Sequence, residues 1–345
     1  MPGAGAPVGR EKEAGELVRA LGGRSGYVAP FVFVYGRTGS GKSTVVKFVC
    51  GRLPVEHRMV NLRKARTVFG CAGLIHEELG GGEAKRGQSG GSLLQKISSR
   101  MAELASQNPF VLILDEFDAL FFDQRGGASD SIYRLLSEQQ RLREEARMVC
   151  IIAIANSPAE LDGRVKSRIG SAPEIHFGAN SKDEVLAILK DRARQAFVEP
   201  VDEGMLGYCA AISSEEFGDA RRAIDLLKVA AELAGPAGGR IEAKHIDEAS
   251  DRLRKDRVEA ALAGASFHLT IVCRELVRLT LFSGPAWHST SKIYDHYAEN
   301  IVRKNEGSRL GYRRVTELLG ELCSMGLVES HAESKGRGGL AANTG

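Results

Sequence analysis

One eight-residue segment, directly after an apolar run at residues 31–35, constrains the fold of this chain more than any other feature. The segment has the pattern G-x-x-x-x-G-K-[ST] and opens a helical pattern. In that setting it predicts a loop whose backbone N–H groups surround phosphates, with the positive end of a helix dipole behind them. The expected nucleotide-binding residues are Gly36, Arg37, Thr38, Gly39, Ser40, Gly41, Lys42, Ser43 and Thr44.

Two residues of this loop and two acidic residues further along predict the chemistry. We expect Lys42 to neutralise the β- and γ-phosphates of ATP and Ser43 to ligate Mg²⁺. A second apolar run, at 110–114, ends in Asp115 and Glu116. Asp115 suits Mg²⁺ coordination, and Glu116 suits polarisation of the water that attacks the phosphate. Two carboxylates after a strand are usually only a solvated turn, but the phosphate loop favours the catalytic interpretation.

Apolar, strand-like runs alternate with helical patterns through the first half of the chain. This alternation predicts an α/β fold with a parallel sheet and helices on both faces. Asn156 follows the fourth run, and at that place it is expected to orient the lytic water or to contact the γ-phosphate. The predicted strands lie at 31–35, 59–62, 110–114, 149–155 and 174–177, and the predicted helices at 43–53, 92–106 and 129–145.

A chain of 345 residues suits two or three domains. We expect residues 1–178 to form the nucleotide-binding α/β domain. Only helical patterns follow up to about residue 257, so residues 179–258 are expected to form a small helical domain. Residues 259–345 contain three more helical patterns, a short strand at 326–329 and a glycine-rich tip at 335–339. Helices followed by such a β-wing predict a compact third domain.

Composition excludes several classes of protein. The longest apolar runs have the length of strands, and residues 1–13 contain no apolar segment, so we expect a cytoplasmic protein. The six cysteines lie far apart without a C-x-x-C pair, which gives little support to a zinc site or a disulfide framework. The net charge of +3 permits binding to a polyanion without requiring it.

With these residues the chain resembles the AAA+ superfamily of P-loop ATPases. Within it, the chain resembles the archaeal replication initiators related to origin recognition complex subunit 1 and cell division control protein 6. The resemblance covers nearly the whole chain. Beyond the phosphate loop, its most specific segments are residues 111–118, 218–227, 313–319 and 334–337.

The resemblance implies an AAA+ base, an all-helical lid and a winged-helix domain. It implies ATP or ADP with Mg²⁺ as cofactors, and slow hydrolysis that acts as a conformational and assembly switch. It also implies a chromosome-associated protein that binds double-stranded origin DNA, other initiator subunits and the replicative helicase.

Four arginines gain roles from the resemblance. Arg221 is similar to the lid-domain sensor that reaches the γ-phosphate, although a plain arginine on a helix surface is the alternative. Arg164 and Arg168 lie in a segment similar to the arginine finger, which acts on the ATP of a neighbouring subunit; the sequence does not choose between them. Arg10 lies in a segment similar to the purine-contacting box, and an ordinary helix start is the alternative.

The resemblance also implies two DNA-contacting regions. One is the segment 63–79, which occupies the place of a helical insertion, although a short basic run is more often a solvated face. The other is the winged helix, where one helix enters the major groove and the wing follows the backbone. Gly338 departs from the family, which has an aromatic residue there. The expected DNA-contacting residues are Arg63, Lys64, Arg66, Tyr312, Arg313, Arg314, Lys335, Gly336 and Arg337.

Three functions fit this organisation. The first is an ATP-dependent replication initiator. The second is an AAA+ DNA motor or clamp-loader-like ATPase, and the third is a signalling ATPase whose winged helix binds protein. The segments 218–227 and 334–337 favour the first.

Overall fold

The computed structural model describes residues 7–22, 27–83, 89–122, 127–157, 163–216, 219–235, 239–284, 287–303, 307–325, 327–331 and 341–343. The chain divides into two compact units, Met1–Ile246 and Asp247–Gly345. Within the described residues, no helix has the length and apolarity that crossing a membrane would require.

A five-stranded parallel sheet forms the centre of the first unit, which confirms the predicted α/β fold. The strands are β1 (Phe31–Gly36), β2 (Glu56–Asn61), β3 (Phe110–Asp115), β4 (Val149–Ala155) and β5 (Glu174–Phe177). Their spatial order is β2-β3-β4-β1-β5. The inner strands β3 and β4 are buried because helices cover both faces of the sheet.

The strand β2 begins three residues before the predicted run at 59–62. Its first residues, Glu56, His57 and Arg58, are polar and partly exposed. Because β2 lies at the edge of the sheet, only part of its surface is buried, and a continuous apolar run is not needed there. An apolar pattern therefore locates this strand but underestimates its length.

Side chains alternate across the sheet and form one apolar core on each face. In β1, Phe31 and Phe33 belong to one core, whereas Val32 and Val34 belong to the other. Short 3-10 turns occupy Leu62–Lys64 and Phe117–Phe122. The helices that cover the sheet are α1 (Glu11–Ala20), α2 (Lys42–Cys50), α3 (Val68–Glu78), α4 (Gly90–Leu104), α5 (Ala128–Glu144) and α6 (Gly163–Ile169).

In the described residues four helices follow the sheet, in the part of the chain where the sequence predicts helical patterns. Ser181 starts the first of them with a capping box, in which its side chain and that of Glu184 satisfy each other's backbone N–H groups. The side chain of Asp219 caps the third. The helices are α7 (Lys182–Ala196), α8 (Glu203–Glu216), α9 (Ala220–Ala234) and α10 (Ala243–Ala263).

The second unit begins within α10, and its described residues contain three further helices and a small antiparallel sheet. In this sheet β8 (Ala341–Asn343) lies between β6 (His288–Ser289) and β7 (Glu329–His331). Tyr297 is buried at the centre of its apolar core. Residues 341–343, whose composition does not predict a strand, nevertheless pair with both neighbouring strands. The elements are α11 (Phe267–Ser283), β6 (His288–Ser289), α12 (Thr290–Arg303), α13 (Tyr312–Ser324), β7 (Glu329–His331) and β8 (Ala341–Asn343). The predicted wing residues Lys335, Gly336 and Arg337 lie outside the described residues.

Candidate nucleotide-binding site

The predicted phosphate loop connects the end of β1 to the start of α2. Gly36, Gly39 and Gly41 have φ angles of 150°, 77° and 92°, which side chains rarely allow. A Cβ atom on Gly36 would lie 2.0 Å from the carbonyl oxygen of Phe177. The glycines therefore permit a backbone cradle that a side chain would fill, and such a cradle fits a chain of phosphates.

Lys42 lies in the first turn of α2 and is only 7% exposed. Its Nζ donates hydrogen bonds to the carbonyl oxygens of Gly36 (2.7 Å) and Arg37 (2.9 Å) and to Oδ1 of Asn156 (3.1 Å). Burial is the largest influence on the pKa of Lys42 and lowers it, and the carboxylate of Glu116 opposes that effect. The ammonium group is thus held beside the loop, with a carboxylate near enough to favour its charge.

Ser43 and Asp115 come together from different elements. Ser43 Oγ lies 3.0 Å from each carboxylate oxygen of Asp115, which ends β3. Hydroxyl and carboxylate oxygens are the ligands that Mg²⁺ prefers in proteins, so this donor set fits that ion. Both residues line a narrow space of about 10 Å³, together with Gly39, Gly41, Lys42, Glu116, Ile154, Ala155, Asn156 and Arg221.

Glu116 and Asn156 meet beside this space. The amide Nδ2 of Asn156 donates to Oε2 of Glu116 at 3.1 Å. Glu116 adopts a left-handed backbone conformation with φ 54°, which costs about 1–2 kcal/mol relative to the right-handed conformation. This conformation sets the direction in which the side chain leaves the backbone. The backbone N–H of Asn156 donates to Oδ2 of Asp118 at 2.9 Å. The sequence analysis assigns no role to Asp118. Its position two residues after Glu116 is the one feature of the sequence that could have indicated a place in the site.

Thr38 and Ser40 make hydrogen bonds beside the phosphate space, and Ser40 and Thr44 also line a second cavity. Thr38 Oγ1 donates to Oδ1 of Asn156 at 3.3 Å, and Ser40 Oγ donates to the carbonyl of Arg37 at 2.8 Å. The cavity beside the loop has a volume of about 410 Å³, which is large enough for a nucleoside. It is lined by residues that include Val8, Arg10, Ser40, Thr44, Phe48, Asn180, Ile188 and Arg221.

The structure places Arg10 and Arg221 on this side of the site. Arg221 is in the first turn of α9 and lines both spaces. Arg10 is 5% exposed, and its Nη2 donates to Oδ1 of Asn180 (2.6 Å) and to the carbonyl of Gly178 (2.9 Å). Arg10 also directly precedes the first residue of α1, as the alternative of an ordinary helix start expects. Purine contact by Arg10 and phosphate contact by Arg221 stay predictions.

Arg164 and Arg168 are not among the residues that line the phosphate space. Arg164 Nη2 lies 2.9 Å from Oδ1 of Asp130. Arg168 Nη2 donates to the hydroxyl of Tyr133 at 3.1 Å, and its guanidinium carbon lies 4.8 Å from the centre of that ring. Arg168 also donates to Gln140. The structure therefore keeps both arginines on α6, away from the phosphate loop of the same chain.

One predicted DNA-contacting residue lies beside the candidate catalytic residues. Arg63 is 76% exposed, and its Nη1 is 3.8 Å from Oε2 of Glu116. The reason is the strand order, since β2 and β3 are neighbours and both end at this edge. Lys64 and Arg66 are exposed close by in the chain. Nothing in the sequence indicates the proximity of Arg63 to Glu116.

The other predicted DNA-contacting residues begin α13 in the second unit. Tyr312, Arg313 and Arg314 form its first turn, and all three are exposed. Arg314 lies 2.8 Å from a carboxylate oxygen of Glu317 and 3.6 Å from one of Glu321. These pairs join solvent-exposed groups, so a stronger anion can replace them at little cost.

Three family models match consecutive parts of the chain. The model for the ATPase family associated with various cellular activities (AAA) matches residues 32–177. The Cdc6 AAA+ ATPase-type lid domain matches residues 186–251, and the CDC6 C-terminal winged helix domain matches residues 260–343.

Curated relatives match over most of their length. The chain is 32% identical over 320 residues to the ORC1-type DNA replication protein 1 of Aeropyrum pernix, which covers 89% of this chain and 79% of that protein. It is 30% identical over 324 residues to the ORC1-type DNA replication protein of Thermococcus kodakarensis, which covers 89% and 76%.

Solved structures resemble the chain as a whole. The structure of the Aeropyrum pernix ORC1 protein in complex with DNA has a TM-score of 0.75 and 30% identity, and the match covers 97% of this chain and 88% of that one. The Aeropyrum pernix ORC2 protein, solved as ADPNP-ADP complexes, has a TM-score of 0.66 and covers 97% and 89%. At 23% identity the second match shows the fold alone.

Proposed function

The chain belongs to the ORC1/Cdc6-type family of AAA+ ATPases, and from that premise we propose that it is an ATP-dependent DNA replication initiator. It binds origin duplex DNA and uses ATP binding and slow hydrolysis as a conformational and assembly switch. The observation that carries this proposal is the meeting of Lys42, Ser43, Asp115, Glu116 and Asn156 at one edge of the sheet, in a chain that also contains a winged helix.

The loop residues 36–44 hold the phosphates of ATP through their backbone N–H groups and Lys42. Ser43 and Asp115 would hold Mg²⁺, which when bound supplies positive charge to the phosphate oxygens. Glu116 accepts the proton of the attacking water, and Asn156 orients the Glu116 carboxylate. Burial lowers the pKa of the Lys42 amine, and the neighbouring carboxylates of Glu116 and Asp115 oppose that shift.

The arginines connect this site with the rest of the assembly. Arg221 contacts the γ-phosphate from the lid, and Arg10 shapes the purine side of the larger cavity. Arg164 or Arg168 acts on the ATP of a neighbouring initiator subunit, a role that fits their distance from the loop of their own chain. Residues 1–178, 179–258 and 259–345 are the base, lid and winged-helix domains of this proposal.

DNA contact is divided between two regions. Tyr312, Arg313 and Arg314 enter the major groove, with the wing at Lys335, Gly336 and Arg337 on the backbone. Arg63, Lys64 and Arg66 of the base add a second contact. The similar Aeropyrum pernix ORC1 protein, solved in complex with DNA, supports DNA as a ligand. Other initiator subunits and the replicative helicase complete the proposed partners, and the protein acts on the chromosome.

A DNA footprint across a replication origin, with and without ATP, tests this function. We expect protection at defined sequences that changes with nucleotide, together with slow ATP turnover. Fast turnover that is stimulated by DNA without sequence preference would instead indicate an AAA+ motor or clamp-loader-like ATPase. Absence of any protected site would contradict the proposal and leave a protein-binding role for the winged helix.

A further inference from the structure

Two side chains from the lid side of the first unit meet the phosphate loop at the same residue, Gly39. Asn180 lies between β5 and α7, and its Nδ2 donates to the carbonyl oxygen of Gly39 at 3.3 Å. Asp219 caps α9, and its carboxylate fills the position where a side chain on Gly39 would begin. A Cβ atom on Gly39 would lie 1.7 Å from Oδ1 of Asp219. Asn180 and Asp219 are 6% and 8% exposed.

Both side chains are also fixed to the elements that carry them. Oδ1 of Asn180 accepts a hydrogen bond from Arg10 at 2.6 Å, immediately before α7 begins. Oδ1 of Asp219 accepts from the backbone N–H of Arg221 at 2.9 Å, so its position is fixed to the first turn of α9. A displacement of Gly39 must therefore move the starts of two lid helices or break buried contacts, which would cost free energy.

Phosphate binding changes the hydrogen bonds that hold this loop. The narrow space between the loop and Asp115 and the larger cavity of about 410 Å³ share Gly39 as a lining residue. In addition, the amine of Lys42 donates to two carbonyl oxygens of the loop itself. A diphosphate bound by the loop competes for this amine, so the contacts of the amine with the carbonyl oxygens of Gly36 and Arg37 are exchanged when it binds. Gly39, in its left-handed conformation at the centre of the loop, is the residue that the lid contacts.

We propose that Asn180 and Asp219 are positioning residues through which the lid responds to a diphosphate in the loop, separately from the response of Arg221 to a γ-phosphate. The inference rests on the proposed function, because it requires that the loop binds ATP and ADP. Gly39 belongs to the loop that holds the part common to both nucleotides. Arg221 lines the space next to Glu116 and Asn156, where hydrolysis is proposed to occur. The contacts at Gly39 therefore respond to whether a nucleotide is bound, and Arg221 responds to whether that nucleotide carries a γ-phosphate.

Three substitutions isolate the contacts at Gly39. Asp219→Ser keeps a residue that caps helices as well as aspartate does, but its shorter side chain does not reach Gly39. Asp219→Asn keeps both the cap and the length, and is the matched control. Asn180→Asp keeps the oxygen that accepts from Arg10 and replaces the N–H donor to Gly39 with a negatively charged oxygen, so its nucleotide saturation is checked separately.

Hydrogen exchange of α7 and α9 in the full chain measures the response of the lid. The protein is compared without nucleotide, with saturating ADP and Mg²⁺, and with a saturating non-hydrolysable ATP analogue and Mg²⁺; calorimetry establishes saturation for each variant. We expect wild type to gain protection in two steps, from no nucleotide to ADP and from ADP to the analogue. Asp219→Ser and Asn180→Asp lose at least half of the first step, whereas Asp219→Asn keeps both. Arg221→Ala loses only the second step.

Two results would overturn the inference. One is an unchanged first step in both Asp219→Ser and Asn180→Asp at full ADP occupancy. The other is loss of the second step in these variants with the first intact, because that would place them in the same response as Arg221. If wild type binds neither nucleotide, the proposed function fails as well. Normal nucleotide binding with an unchanged first step contradicts this inference alone, and the isosteric Asn180→Asp variant keeps the test valid if Asp219→Ser does not fold.

Discussion

At the scale of single residues, hydrogen bonds to neighbouring groups fix the side chains of the candidate site. Lys42 is fixed by three oxygen atoms, and Ser43 by the two oxygen atoms of Asp115. Asn156 connects Lys42 to Glu116, because its Oδ1 accepts from the amine and its Nδ2 donates to the carboxylate. The groups proposed to bind phosphate and to activate water are thus parts of one hydrogen-bond network.

Replacing Lys42 with alanine should abolish nucleotide binding at ordinary concentrations. The change removes the one lysine that lines the phosphate space in the described structure. A hydrogen bond to a charged group contributes about 1.5–3 kcal/mol, so each lost contact weakens binding about tenfold or more, and losing contacts to two phosphates should bring binding below what calorimetry detects. Isothermal calorimetry with ATP and ADP measures it. Lys47→Ala, an exposed change in the same helix, is the control. Equal affinity in wild type and Lys42→Ala would remove the assignment of the loop.

Glu116→Gln should keep ATP affinity within a few-fold and lower its hydrolysis by about 100-fold or more. The amide keeps the shape of the side chain but does not accept the proton of the attacking water, and general base catalysis contributes about 10²–10⁴-fold. Single-turnover hydrolysis, measured beside ATP binding, separates the two effects. If Glu116→Gln cleaves ATP at the wild-type rate, another group activates the water.

At the scale of elements, helix α13 and the lid helix α9 present their candidate residues in the same way, from the first turn. In α9 the turn is capped by Asp219 and carries Arg221. In α13 it carries Tyr312, Arg313 and Arg314 after Gly311, without a side-chain cap. An uncapped first turn leaves backbone N–H groups available, and these favour a negatively charged partner.

Arg314→Ala should weaken binding to origin DNA about tenfold and relax the sequence preference, because a major-groove arginine reads base edges. Its neighbour Glu317 holds the arginine in place, and that hydrogen bond is the main cause of the raised pKa of Arg314. Lys335→Ala should weaken binding to all DNA sequences alike and reduce the dependence of the affinity on salt concentration. Binding to origin and scrambled duplexes at several salt concentrations decides this. If Arg314→Ala loses the same affinity for both duplexes, Arg314 contacts phosphate and does not read base edges.

At the scale of the whole molecule, one chain combines an ATPase site in the first unit with a candidate DNA-reading helix in the second. The region from residue 252 to the end has fourteen basic and ten acidic residues, a small positive balance. Such a balance predicts weak DNA binding by this region alone. A second contact from the base, next to Glu116, would allow DNA and nucleotide to influence each other.

Combining Arg63→Ala with Arg314→Ala tests whether both regions contact the same duplex. If they do, each change lowers affinity for origin DNA, and the losses multiply in the double variant because the sites are independent. Titration of one fluorescent origin duplex with the four proteins measures this, and Arg58→Ala, in the preceding strand, is the control. Wild-type affinity in Arg63→Ala would show that the base does not touch DNA.

The chain sequence by itself determined the elements and the local motifs. The phosphate loop, the acidic strand end, the five strands and the helical lid depend on contiguous residues and on side-chain periodicity, both of which can be read along the chain. The resemblance to AAA+ replication initiators came from the same local segments. Even here β2 was underestimated and β8 was not predicted, because the pairing of their backbones with neighbouring strands does not require apolar side chains.

Only the tertiary structure decided which distant residues meet. The neighbouring positions of β2 and β3 bring Arg63 to Glu116, and the packing of the lid side on the loop brings Asn180 and Asp219 to Gly39. Such contacts depend on strand order and on the direction in which each element packs. Neither quantity is encoded in the local spacing of residues. The candidate residues of the site were therefore visible in the sequence, whereas the connections of that site to its surroundings were not.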